Sequence, residues 1–148
     1  MCSSDLYKGG SQSSPNSTTL ANDTALFIPL LANAVYDFEL LLGYNGGTLG
    51  SSDLKIGWSV PSGTTMGYTA YGNTTSGAAT DAPWYTQSAT PAFGTNGTST
   101  PIGLVLSGTV ATAGTAGNLQ LQWAKNSTSV ATVTTVLAGS VLLAWQVQ

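Results

Sequence analysis

The chain has 148 residues and a formal net charge of −3, with only 6% charged residues: three lysines, no arginine, no histidine and one cysteine. That inventory excludes a Ser-His-Asp triad, histidine-based zinc or haem ligation and an internal disulfide framework. It also leaves nothing to neutralise several nucleic-acid phosphates or to form a polybasic membrane patch. A hydrophobic content of 42% suffices for one domain with a real core, and Ser, Thr, Asn, Gln and Gly must then cover its surface.

In chain order, Met1-Cys2-Ser3-Ser4-Asp5-Leu6 translates GTG-TGC-TCT-TCC-GAT-CT, a string that resembles the end of a common sequencing-library adapter. Residues 1–6 are therefore expected to be read-through, which sets Cys2 aside and implies a fragment of environmental (metagenomic) sequence whose native start is missing. Tyr7 to Ser17 is rich in Gly, Ser, Asn and Pro, so 1–17 is expected to be a disordered linker and 18–148 the folded domain. No signal peptide is expected, and no run of about 18 apolar residues predicts a transmembrane helix.

Thr18-Thr19-Leu20 predicts a short strand, Asn22-Asp23-Thr24 a turn, and Leu26 to Leu30 a second strand with Pro29 at its edge or end. Asn33 to Tyr44 is the best strand, with Tyr36, Phe38, Leu40, Leu42 and Tyr44 on one face and Val35, Asp37, Glu39 and Leu41 on the other. Asp53 to Val60 alternates with Leu54, Ile56, Trp58 and Val60 inward. After the Pro61-Ser62-Gly63 turn, Thr64 to Tyr71 continues with Met66, Tyr68 and Ala70 on one face. Residues 72–100 form a long Gly, Thr, Ala, Pro and Asn rich loop, functional or poorly ordered, that carries Trp84, Tyr85 and Phe93, with a short strand near Trp84. Strands follow at Ile102 to Val110, Leu119 to Ala124 and Ala131 to Val136. The last strand is read through Val141, Leu143, Trp145 and Val147. Eight to ten short strands without a helix predict an all-β antiparallel sandwich, jelly roll or small barrel, and no tandem repeat points to a propeller or β-helix.

Few residues offer chemistry. Asp37 and Glu39 share a strand face with carboxyls about 6–7 Å apart, a spacing known from glycosidases. No further polar partners lie near them in sequence, so solvent-facing or interfacial roles are expected and no enzymatic activity. Asn22-Asp23-Thr24 with Asp53 and Asp81 could offer oxygens to Ca²⁺, but without a dense D-x-D-x-D loop neither metal nor cofactor is expected. Asn-x-Ser/Thr sequons at Asn16, Asn22, Asn73, Asn96 and Asn126 read as turn chemistry. Trp84, Tyr85 and Phe93 either present stacking surfaces to a sugar or protein receptor or pin the loop to the sandwich as buried rings.

The segment Gly117-Asn118-Leu119-Gln120-Leu121-Gln122-Trp123-Ala124-Lys125-Asn126 and the ending Gly139-Ser140-Val141-Leu142-Leu143-Ala144-Trp145 resemble the C-terminal strands of many small tailed-phage virion proteins. Leu30 to Glu39, Gly46-Gly47-Thr48 and Asp53 to Gly63 look like the centre of the same family, so the likeness spans most of Thr18 to Val147. The order of motifs also resembles, more distantly, the trimeric jelly rolls of the complement globular-head and tumour-necrosis-factor type. By that resemblance Tyr36, Phe38 and Trp145 are candidate core or trimer-contact positions. What the resemblance implies is a jelly-roll virion protein, homotrimeric, on the particle surface, as capsid decoration or a head or tail fibre domain with capsid or tail proteins as partners. The alternative is a carbohydrate- or receptor-binding β-sandwich module using Trp84, Tyr85 and Phe93 on a host-surface glycan. Neither nucleic acid nor membrane insertion is expected.

Overall fold

The aromatic alternation of residues 35–45 builds the longest strand of the molecule. In the computed structural model, which describes residues 3–14, 16–79, 82–128 and 132–148, it is β4 (Val35–Asn45), in an all-β fold whose described strand pairs are all antiparallel. The other strands are β1 (Ser3–Tyr7), β2 (Gln12–Ser13), β3 (Ala21–Leu30), β5 (Leu54–Ser59), β6 (Thr65–Tyr71), β7 (Trp84–Thr86), β8 (Ala92–Phe93), β9 (Ile102–Ala111), β10 (Gly117–Lys125), β11 (Thr135–Val136) and β12 (Val141–Gln146). They form two sheets, ordered β1-β12-β4-β9-β6-β7 and β3-β10-β5-β8, with β2 and β11 added beside β4 in the larger one. Four nested antiparallel pairs, β1 with β12, β3 with β10, β4 with β9 and β5 with β8, give the jelly-roll wrap. The β6–β7 hairpin extends the larger sheet beyond β9.

The core lies between the sheets. Tyr36, Phe38, Leu40, Leu42 and Tyr44 of β4 are all buried, as the alternation predicts, and face Ile28 of β3, Leu54, Ile56 and Trp58 of β5, and Leu119, Leu121 and Trp123 of β10. Phe38 has no exposed surface and meets Trp58 edge-on, ring centroids 5.3 Å apart, with Tyr68 at 6.4 Å. The Tyr44 hydroxyl donates to the Gly94 carbonyl at 2.9 Å, and burial raises its pKa well above the ordinary phenol value. On the outer side of the smaller sheet, Leu20 lies close against Gly57 of β5, where a Cβ would stand 2.6 Å from Leu20 Cδ1.

Residues 1–17 are not a linker. Strand β1 pairs with β12, β2 pairs with β11, and Lys8 continues the ladder by exchanging backbone hydrogen bonds with Ser140 and Gly139. The adapter-like Ser3 to Leu6 thus occupy the first strand position of the jelly roll, while Met1 and Cys2 lie outside the described residues. Thr18 to Leu20 is not a strand, and Asn22 to Thr24 does not separate two strands. Strand β3 runs through with a wide bulge, in which four residues, Asp23 to Leu26, stand opposite Leu121 alone. Asp23 Oδ1 accepts the Ala25 and Leu26 N–H groups, and Gln120 Nε2 donates to the Asp23 and Leu26 carbonyls, so side chains replace the lost ladder bonds.

In β12, Leu142 and Ala144 are buried, while Val141, Leu143 and Trp145 point away from the core. Both faces of this strand are apolar, so alternation alone does not fix its phase; pairing of Leu142 with Leu40 and of Ala144 with Phe38 does. Residues 72–100 are not one loop: Asn73 bridges Ala79, β7 pairs with β6, and β8 pairs with β5. The strand expected from Ala131 is limited to Thr135 and Val136, and Ala131 lies outside the described residues.

Candidate docking surface

The scarce charges divide into an inner and an outer set. Lys8 Nζ lies 2.8 Å from both carboxylate oxygens of Asp23, and this pair is fully buried. Trp123 Nε1 donates to Asp23 Oδ2 at 3.0 Å, and Gln12 Oε1 accepts from Lys8 while holding the Thr24 N–H and hydroxyl. Lys125, also buried, donates to Asn16 Oδ1, and Lys55 donates to the Thr18 carbonyl. All three lysines therefore fasten the stretch from Lys8 to Asp23 across the smaller sheet. Asp53 is buried as well and accepts the Gly50 and Thr95 N–H groups, which closes the 46–53 loop. The oxygens considered for Ca²⁺ are thus committed to internal donors at Asp23 and Asp53, while Asp81 lies outside the described residues.

The aromatic candidates do not form one surface. Phe93 is buried opposite Leu54, where it fills the core. Tyr85 is half-buried with its ring 5.4 Å from Tyr68, and burial raises its hydroxyl pKa. Trp84 is 67% exposed. Its indole lies over Gly67, where a Cβ would come within 2.2 Å of the ring. Tyr36 and Phe38 are core residues within a single chain, so they are unavailable to a trimer contact; the Tyr36 hydroxyl instead accepts the Leu31 N–H. Trp145 reaches the surface, half-buried, opposite Asp37.

The missed feature is the outer face of the larger sheet. In an antiparallel sheet, residues in register point the same way. Tyr7 pairs with Val141, Val141 with Leu41, Leu41 with Val105, and Val105 with Tyr71. These five form one apolar row across five strands. Tyr7 is 66% exposed, Leu41 54%, Tyr71 53% and Val105 42%, where polar residues are the norm. The next row runs Asp5, Leu143, Glu39, Ser107, Thr69 and Trp84. Beyond it lie Trp145, Asp37, Thr109 and Gly67, the last beneath the Trp84 ring. A shallow groove of about 280 Å³ opens between Leu41, Val105, Val141, Leu143 and Glu39.

Among the described residues, the carboxylates of Asp37 and Glu39 have neither a hydrogen-bond partner nor an ion pair. They sit opposite Thr109 and Ser107 on the open face of the sheet, with Glu39 at the rim of the groove. Leu41 was the available signal in the sequence, an aliphatic residue on the same strand face as two carboxylates. The rest of the row could not be read, because residues 7, 41, 71, 105 and 141 meet only once the register is known.

No family model matches the chain. No curated protein matches it at a significant level. Among solved structures, that of the infectious bursal disease virus Gx strain is 15% identical with a TM-score of 0.28, covering 97% of this chain and 38% of its own. The VP2 subviral particle of the same virus is 11% identical with a TM-score of 0.23, covering 97% of this chain and 36% of its own. The chain therefore spans less than two-fifths of the length of these viral proteins. Its jelly-roll assignment follows from its own four nested strand pairs.

Proposed function

We propose that this chain is a non-enzymatic structural protein of a virus particle, which docks the outer face of its larger sheet onto another particle component. The observation that supports this reading most strongly is the exposed row Tyr7, Val141, Leu41, Val105 and Tyr71 on a rigid sheet. Aromatic anchors beside aliphatic groups are the usual centre of a protein interface. Within that reading, the motifs of β10 and β12 favour a tailed phage, with the domain decorating a capsid or belonging to a head or tail fibre. A homotrimer would need a contact of its own, since Tyr36 and Phe38 lie in the core and Trp145 lies on the docking face.

Added to bare phage capsids, the chain is expected to raise their melting temperature. The Leu41→Ser/Val105→Ser variant is expected to lose that effect while its own stability changes by about 0.5 kcal/mol or less per site. An unchanged capsid melting profile with the wild-type chain would remove the decorating role.

A second reading is a carbohydrate- or receptor-binding module, favoured by the exposed Trp84 indole packed over Gly67. On that reading Trp84→Ala abolishes binding to a glycan array while the fold is retained. Silence of the wild-type chain on the array would dismiss it.

A further inference from the structure

We infer that the docking face receives a basic protein surface, one that carries lysine or arginine beside an aliphatic strip, and that a second copy of this chain is not its occupant. The inference rests on the docking reading above and adds the chemistry of the partner. The chain has few charges, so their placement is informative. Of its acidic residues, Asp23 and Asp53 are buried on internal partners. Asp5, Asp37 and Glu39 all lie on the outer face of the larger sheet, so every described acidic side chain outside the core is on this one surface.

No lysine stands near them on that face. Lys8 and Lys125 are buried, and Lys55 belongs to β5 in the other sheet, with its ammonium on the Thr18 carbonyl. Among the described residues, the face is therefore an apolar row bordered by three carboxylates without a cation. Asp37 and Glu39 are spaced about 7 Å apart along β4, and Asp5 lies two strands away from Glu39, about 10 Å. Two copies stacked face to face would bring six carboxylates together, and like charges across an interface disfavour the pairing. Stacked head to tail, a copy would offer only Lys55. A surface with lysines or arginines spaced to meet Asp5, Asp37 and Glu39 satisfies the carboxylates while its aliphatic strip covers Leu41 and Val105.

The test titrates the full chain with three eight-residue peptides, alternating Val-Lys, Val-Ser and Val-Glu. The Val-Lys peptide is expected to bind about tenfold or more tighter than Val-Ser at low salt, with Val-Glu weakest and the preference shrinking in high salt. Asp37→Asn/Glu39→Gln is expected to bring Val-Lys and Val-Ser to within about twofold of each other without altering the melting of the chain, since neither carboxylate supports the core. Equal binding of Val-Lys and Val-Ser, lost in Leu41→Ser/Val105→Ser, would leave the docking face standing and overturn the basic partner. Sedimentation as a dimer that Leu41→Ser/Val105→Ser dissolves would overturn it in favour of a second copy. Binding of none of the three peptides would overturn it together with the docking reading.

Discussion

Asp23→Ala is expected to lower stability by about 5 kcal/mol, and Lys8→Ala by about 3 kcal/mol, the range for breaking one side of a buried ion pair. The order follows from the partners. Removal of the Asp23 carboxylate leaves the buried Lys8 ammonium with Gln12 Oε1 but no counter-charge, and orphans the Trp123 indole N–H and two bulge amides at once. Removal of Lys8 leaves the carboxylate with Trp123 and the Ala25 and Leu26 amides, so part of its solvation survives. In thermal unfolding the loss corresponds to a fall in Tm on the order of 10 °C for a domain of this size. Were residues 1–17 a linker, Lys8→Ala would change stability by no more than about 0.5 kcal/mol. Calorimetry of the two variants decides between these outcomes.

Phe38→Ala is expected to cost about 3–5 kcal/mol, because it empties the centre of the sandwich where Phe38, Trp58 and Tyr68 meet. The informative readout is concentration. A core residue destabilises equally at all protein concentrations, whereas a residue at a contact between copies loses stability that depends on concentration. With Phe38 fully buried in one chain, the Tm deficit of Phe38→Ala is expected to be the same over a hundredfold dilution. A deficit that vanishes on dilution would restore Phe38 to a trimer interface.

These residues also show how far the sequence could be read. Strict alternation across β4, β5, β6 and β9 marks their buried faces, because a side-chain period of two is a local property. Three things are not local. The phase of β12 is one, since Val141, Leu143 and Trp145 are as apolar as Leu142 and Ala144, and only pairing with β4 distinguishes them. The role of Lys8 is another: a lysine among Gly, Ser and Gln reads as solvated, and its partner Asp23 is fifteen residues away beneath a bulge that itself depends on Gln120. The third is the docking face, whose apolar row draws one residue from each of five strands. Trp84 was legible as an aromatic in a polar stretch, but Phe93 shared that signal and turned out to be core, because β8 pairs with β5.

Hydroxyl-radical footprinting of the free chain, read residue by residue by mass spectrometry, tests the central claim most directly. Tyr7, Leu41, Tyr71 and Trp84 are predicted to be oxidised rapidly, and Tyr36, Phe38, Tyr44 and Phe93 to be protected until the chain unfolds. Protection of Tyr7, Leu41 and Tyr71 in the free chain, or ready oxidation of Phe38, would contradict an open docking face on a filled jelly-roll core.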